Sequence, residues 1–186
     1  MVKRYSMTQD KILNSFAQVY WPAIQKYHEL ISENEKANTT IQKRFTSEFR
    51  ASLKWPLKHC GTLIPPKASK KALEIARQHN IDLFALQWKD QPEAEELICG
   101  ERGRNIFVHE HEIPVSCIYN ELLDANSLDM VKNILTKQSI IWITEDENKL
   151  LPQYIREKDA YKKAGIEYEL NPYLDNWMEK PWKTSP

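Results

Sequence analysis

The sequence has few of the features that mark secreted, membrane-bound or disordered proteins. Its three cysteines, Cys60, Cys99 and Cys117, are odd in number and too widely spaced for a CxxC zinc pair or an extracellular disulfide pattern. It has only four glycines and no biased tract. No stretch approaches the length of an apolar membrane span, and residues 1–5 lack the apolar run of a signal peptide. These absences predict a folded cytoplasmic protein with no membrane partner.

An excess of charge of either sign is also absent. The chain has 26 basic and 26 acidic residues, so its formal net charge is zero. Proteins that bind nucleic acid through charge usually cluster Lys and Arg on one face. Residues 43–77 are locally basic, because nine Lys and Arg stand there against only Glu48 and Glu74. This uneven distribution predicts either a basic binding face or an ordinary solvated surface.

The first part of the chain has the spacing of amphipathic helices. Over residues 8–33 apolar side chains recur every three or four positions, and Pro22 should kink this helix or split it in two. A second helix is expected over residues 40–55, closed by Pro56. Its apolar positions recur every four residues: Ile41, Phe45, Phe49 and Leu53. The length of 186 residues suits a single domain, with a helical, partly basic segment over 1–80.

The second part, 81–186, mixes the patterns of helices and strands. Just before it, Ser69 should cap a short helix that ends near His79. Within it, Gly165 should end another helix. The expected strands are 81–88, 106–113, 139–144 and 166–170, with a turn at 100–104 and an irregular tail. The expected helices are 115–123, 128–136, 145–151 and 157–164. The sequence therefore predicts an α+β fold that is mainly helical.

One stretch carries residues suited to chemistry. In residues 108–116 an acidic residue, Glu110, directly precedes His111, and Pro114 follows three positions later. Further along the chain, the apolar strand 139–144 leads into a helix with Asn148 near its start. This arrangement resembles the HNH (ββα-metal) nucleases, whose first strand ends in a D-H-x-x-P or H-H-x-x-P pattern. The resemblance covers only residues 106–151.

The resemblance implies a ββα-metal core in the second half of the chain and a metal-dependent endonuclease that cleaves DNA, in restriction or defence. Glu110 and Asn148 would hold one divalent cation, His111 would be the general base, and Arg104 or, less favourably, Arg102 would hold the phosphate. Oxygen ligands favour Mg²⁺ or Mn²⁺, and cleavage of both strands would favour a homodimer. The basic residues that would contact the DNA backbone are Lys43, Arg44, Arg50, Lys54, Lys67, Lys70 and Lys71.

Two other interpretations stay open at this point. The chain could be a non-catalytic module that binds nucleic acid or protein, with the motif as a structural strand. It could also bind structural zinc, because His109 and His111 share one strand face and Cys99 or Cys117 could complete the site. Adjacent residues on a regular strand face opposite sides, so Glu110 and His111 converge on one phosphate only if the strand is distorted or ends there, which Pro114 favours.

Overall fold

The structure is a computed structural model that describes residues 9–37, 39–61, 64, 66–99, 104–152 and 159–172. These residues fall into two compact units that alternate along the chain. The helical unit comprises Gln9–Ile64 and Val115–Gln138, and the sheet unit comprises the described parts of Pro65–Pro114 and Ser139–Pro186. Within the described ranges no helix has both the length and the apolar character needed to cross a membrane.

The fold is α+β and mainly helical, as the sequence predicts. The α-helices are α1 Gln9–Ala37, α2 Thr40–Ser52, α3 Lys54–Gly61, α4 Lys70–Gln78, α5 Val115–Leu123, α6 Leu128–Leu135, α7 Glu145–Lys149 and α8 Ala160–Lys163. The strands are β1 Lys67–Ser69, β2 Ile98–Cys99, β3 Arg104–Asn105, β4 Phe107–His111, β5 Ile140–Thr144 and β6 Tyr168–Glu169. Two 3₁₀ helices, Trp88–Asp90 and Glu95–Leu97, lie between α4 and β2.

The two prolines of the helical unit interrupt helices less than expected. Pro22 was expected to kink the first helix or split it, and α1 continues through Pro22 as one element, so the helix is not split there. The second helix ends at Ser52, and a separate helix, α3, contains Pro56 as its third residue. A proline in the first turn is tolerated because its missing N–H would have no partner inside the helix. Pro56 therefore lies near the start of a helix instead of closing one.

The apolar stripe of α2 is largely exposed. The helix is well formed, because Thr39 accepts a hydrogen bond from the Gln42 N–H and the Gln42 side chain reaches back to the Thr39 N–H in a capping box. Yet α2 contains no buried residue, and Ile41 and Phe45 are 81% and 57% exposed. Only Leu53, just beyond the helix, is buried among the residues of the stripe. The spacing predicted the helix but not the exposure of its apolar side.

The sheet unit is organised around a mixed four-stranded sheet in the order β4-β5-β1-β6. β4 and β6 are antiparallel to their neighbours β5 and β1, whereas β1 and β5 are parallel. All five residues of β5 are buried, which agrees with its predicted apolar strand. β2 and β3 form a separate two-stranded hairpin. The turn predicted at 100–104 falls mostly on residues outside the described ranges.

Two features of the sheet unit differ from the sequence-based expectation. β1 was not expected, since a three-residue strand has no periodicity of its own and exists only through its pairing with β5 and β6. The strand expected at 81–88 is instead an irregular segment followed by a 3₁₀ turn. Its four consecutive residues Leu83 to Leu86 are all buried, so the apolar run packs into the core without pairing as a strand.

The predicted helix ends of this unit are confirmed. The Ser69 hydroxyl accepts from the Ala72 N–H at the start of α4. Gly165 has φ 69° directly after α8, and the Ile166 N–H reaches back to the Tyr161 carbonyl at 2.9 Å. α7 begins with a capping box in which buried Glu147 accepts from Thr144 N–H at 2.8 Å, and the same carboxylate accepts from the Ser69 hydroxyl at 2.7 Å. Glu147 therefore acts as a structural cap of α7.

Candidate functional site

The register of β4 against β5 decides which side chains of the motif can act together. The pairing runs without a bulge from Phe107 opposite Thr144 to His111 opposite Ile140. Side chains therefore alternate strictly between the two sides of the sheet. His109 and His111 lie on the side that carries Trp142, here called the tryptophan face. Glu110 lies on the other side, here called the glutamate face, in line with Ile141 of β5.

The structure does not bring Glu110 and His111 together. The strand is regular at both residues, and the Glu112 N–H still donates to the Ser139 carbonyl at 2.9 Å, so the ladder continues beyond them. The distortion that would let both side chains face one phosphate is not present at these positions. Pro114 comes too late in the chain to produce it.

Asn148 lies in α7, which begins at the end of the β4–β5 pair that is remote from Glu110. The Glu145 N–H, at the beginning of α7, donates to the Ile106 carbonyl just before β4. Glu110 lies four residues further along this strand, a distance of about 13 Å. The chain order of β4, β5 and α7 is the one that the resemblance requires, but α5 and α6 intervene between the strands and α7 has only five residues. The ligand pair Glu110 and Asn148 stays a prediction.

Another set of charged side chains lies on the glutamate face. Glu110 and Lys67 both lie opposite Ile141, from the two strands that flank β5, so they occupy one row across the sheet. Glu112 is two residues beyond Glu110 and therefore shares its face. The Lys67 ammonium donates to Glu112 Oε2 at 2.6 Å, with both side chains about one quarter exposed, at 24% and 26%. We call these three residues the Glu110–Glu112–Lys67 cluster.

Lys67 is held in this cluster from two sides. Besides its bond to Glu112, its Nζ lies 5.0 Å from the centroid of the Tyr168 ring on β6. An ammonium has three N–H donors, so these contacts leave hydrogen-bonding capacity for a further anionic oxygen. Lys67 was predicted to be one of several basic residues that contact the DNA backbone. Lys67 is instead half-buried, and its two contacts hold its ammonium group in one position.

A cavity of about 280 Å³ lies beside the cluster. Glu112 and Tyr168 form part of its wall, together with Tyr161 and Ile166. The Tyr161 and Tyr168 rings meet edge to face, with centroids 6.5 Å apart. The cluster therefore borders a space that has aromatic walls and charged groups at its rim, the usual composition of a small-molecule or nucleotide site.

The tryptophan face provides a contrasting environment for the histidines. The His109 ring lies against the Trp142 indole with centroids 4.1 Å apart, and burial lowers the pKa of His109 to about 3, with the charge of nearby His111 as a smaller cause. Its Nε2 is buried with no hydrogen-bond acceptor or donor among the residues described. His109 is thus a half-buried residue whose imidazole is uncharged at neutral pH.

The lowered pKa of His109 predicts a loss of stability in mild acid. The unfolded chain binds a proton at this histidine below about pH 6.5, whereas the folded protein does so only near pH 3, so the stabilisation is complete above pH 6.5 and declines as the pH falls. Between pH 7 and pH 5 the free energy of unfolding should fall by about 2 kcal/mol from this group. Urea unfolding at the two pH values should show this loss in the wild type and a smaller one in His109→Phe. Equal losses in both proteins would refute it.

The predicted nucleic-acid contacts are divided between the two units. Lys43, Arg44 and Arg50 are exposed on α2, and Lys54 is half-buried at the start of α3. In the sheet unit Lys70 pairs with Glu167 and Lys71 is exposed. The backbone of Arg104 pairs with Cys99 in the β2–β3 hairpin, and its side chain and all of Arg102 lie outside what the structure describes. The predicted basic surface is therefore not a single patch within either unit.

Among the described residues no group of three or more His, Cys, Asp or Glu side chains is arranged to hold a metal ion. A magnesium ion commonly uses only one or two carboxylates and completes its shell with water and substrate oxygens. Glu110 and Glu112 are two carboxylates on one face of the sheet, and the binding of Mg²⁺ or Mn²⁺ stays a prediction. None of the protein-family models matches the chain, and neither the curated proteins nor the solved structures that were searched include a match.

The sequence contained one signal for this cluster. Glu110 and Glu112 stand two positions apart in a predicted strand, which places two carboxylates on one face. The contribution of Lys67 had no such signal, because it depends on the parallel pairing of β1 with β5 across more than 70 residues of chain.

Proposed function

We propose that this protein is a metal-dependent endonuclease that hydrolyses phosphodiester bonds in DNA at the Glu110–Glu112–Lys67 cluster. The observation that carries the proposal is the 2.6 Å bond between Lys67 and Glu112 in the same row and on the same face as Glu110. Two carboxylates and one ammonium group on one face of a sheet are the combination that would bind a cation and a phosphate together. The resemblance of residues 106–151 to HNH nucleases supports the same reaction and also gives Glu110 to the metal, but it names Asn148 as the second ligand and His111 as the general base.

The chemistry needs both kinds of charge. A divalent cation held by the carboxylates would supply Lewis-acid stabilisation of the phosphoryl group. Glu110 and Glu112 provide the hard, anionic oxygen ligands that Mg²⁺ and Mn²⁺ prefer. Lys67 provides a positive charge for a non-bridging phosphate oxygen, and its contacts with Glu112 and Tyr168 fix it before substrate arrives. Fixed charge is more effective than mobile charge because less reorganisation is needed during reaction.

The adjacent cavity supports a role in substrate binding. Its volume of about 280 Å³ is large enough for a base or sugar next to the scissile phosphate. Tyr161 and Tyr168 offer aromatic surfaces against which a base could stack. The cavity shares Glu112 with the cluster, so a nucleotide bound there would bring its phosphate to the carboxylates.

The experiment is nicking of supercoiled plasmid by wild type and by Glu112→Gln, each with Mg²⁺, with Mn²⁺ and with EDTA. We expect nicking that requires the metal and that falls by at least about 100-fold in the variant, because an amide is a much poorer metal ligand and has no negative charge. Glu74→Gln, which changes an exposed carboxylate on α4 of the same unit, should retain activity. Binding of DNA by folded wild type without metal-dependent cleavage would instead favour the binding-module interpretation.

A further inference from the structure

The exposed apolar side of α2 is a feature of the helical unit that the proposed function does not use. Ile41 and Phe45 protrude from a helix with no buried residue, and the Phe45 and Phe49 rings stack with centroids 6.5 Å apart. On α1, Val19 is 73% exposed. Exposed apolar side chains that follow one helix stripe are typical of an interaction surface.

An apolar groove lies at the end of the same stripe. It has a volume of about 260 Å³ and is lined by α1 residues that include Phe16 and Val19, together with Leu53 and Pro56. The helical unit thus presents protruding apolar side chains at the start of α2 and an apolar recess at its end. A surface with both a protrusion and a matching recess can be complementary to itself.

We propose that this surface binds a second copy of the chain, with the two α2 helices packed antiparallel about a two-fold axis near Thr46. The charges beside the stripe favour this occupant. Arg44 and Glu48 each precede a stripe phenylalanine by one residue, so both lie on the same flank of the helix. In an antiparallel two-fold pair, equivalent flanks face each other, and an axis at Thr46 places Arg44 of one copy level with Glu48 of the other.

The same axis matches the apolar parts. It places Ile41 of one copy level with Ala51 of the other, next to the groove at Leu53. Two ion pairs and two protrusion-to-groove contacts then form at once, because a two-fold axis repeats every contact. α2 is only about 20 Å long, so the interface is at the small end of specific contacts and the dimer should dissociate at micromolar concentrations.

The test is sedimentation velocity of the full chain over a series from low to high micromolar concentration. We expect a reversible monomer–dimer equilibrium for wild type and a monomer for Phe45→Glu at every concentration. The matched control is Ser47→Glu, which adds the same charge to an exposed residue away from the stripe and should still dimerise. Far-UV circular dichroism checks folding, and the milder Ile41→Ser should also weaken the dimer by at least about tenfold.

Charge reversal tests the antiparallel arrangement itself. Arg44→Glu and Glu48→Arg should each raise the dissociation constant by at least about tenfold, because each creates two repulsive contacts. The double variant should return to within about threefold of wild type. A wild type that stays monomeric throughout overturns the proposal, as does charge reversal without rescue in the double variant. Monomeric protein that binds phosphatidylglycerol vesicles through Phe45 would also overturn it and would identify an anionic membrane as the occupant.

Discussion

Replacing Lys67 by methionine should reduce metal-dependent nicking of plasmid DNA by at least about 100-fold, a loss comparable to removal of one preorganised donor in other enzymes. Methionine keeps an unbranched side chain of similar length but removes the ammonium group, and with it the ion pair to Glu112 and the cation–π contact with Tyr168. The loss should be mainly in kcat, because Lys67 would act on charge that increases in the transition state. The measurement is the initial rate of nicking at a series of plasmid concentrations.

The control for this variant is Lys149→Met. Lys149 belongs to the same unit, but it is an exposed residue whose ion pair with Asp146 lies on the surface of α7. Its replacement should leave the nicking rate within about threefold of wild type. If Lys67→Met is folded and cuts as fast as Lys149→Met, Lys67 has no part in the reaction and the cluster is a structural ion pair.

Truncation of Trp142 to alanine should lower the free energy of unfolding by about 4 kcal/mol. Trp142 is completely buried in the middle of β5, packed with Ala68, Phe107 and the His109 ring. The substitution leaves a large cavity between the sheet and the core of this unit, which the rigid strands cannot fill. A loss of this size is a substantial part of the stability of an ordinary domain, so it should lower the urea midpoint strongly.

Two further tryptophan variants separate burial from side-chain identity. Trp88 is 55% exposed, and Trp88→Ala should change the free energy of unfolding by no more than about 1 kcal/mol. The buried Trp142 indole N–H has no acceptor among the described residues, so Trp142→Phe should cost much less than the alanine variant because it also removes an unpaired donor. Similar urea midpoints for Trp142→Ala and Trp88→Ala would contradict the assigned core.

Local signals predicted the elements that local interactions determine. Ser69 and Gly165 each specify a helix end through hydrogen bonds within a few residues, and each is found where the sequence placed it. The apolar run of β5 likewise sufficed to identify a buried strand. These features could be read from the sequence because their cause lies within the same short segment.

Features that depend on distant segments were missed. β1 exists through its pairing with β5 and β6, and the buried run Leu83 to Leu86 packs into the core without strand partners. The spacing of α2 predicted an amphipathic helix, but periodicity does not reveal whether another segment covers the apolar side. Ile41 and Phe45 are exposed in the structure, and the spacing of the apolar residues could not indicate this.

The candidate site shows the same division. The position of Glu110 in a strand was predicted. So was the placement of Glu110 and His111 on opposite sides of that strand if it is regular. The expectation that Pro114 would distort the strand at Glu110 and His111 does not fit the regular register of β4 with β5. The partner that reaches the Glu110 face, Lys67, comes from a strand that the sequence did not indicate.

The most direct test of the proposed site compares Glu110→Gln with His111→Asn in the plasmid-nicking assay with Mg²⁺ and Mn²⁺, after circular dichroism has shown that both are folded. These adjacent residues lie on opposite faces of the sheet, so only one can belong to the catalytic cluster. We predict that Glu110→Gln loses at least about 100-fold in rate, whereas His111→Asn stays within about threefold of wild type. Loss of nicking in His111→Asn with full activity in Glu110→Gln would contradict the proposed site and would restore His111 as the general base.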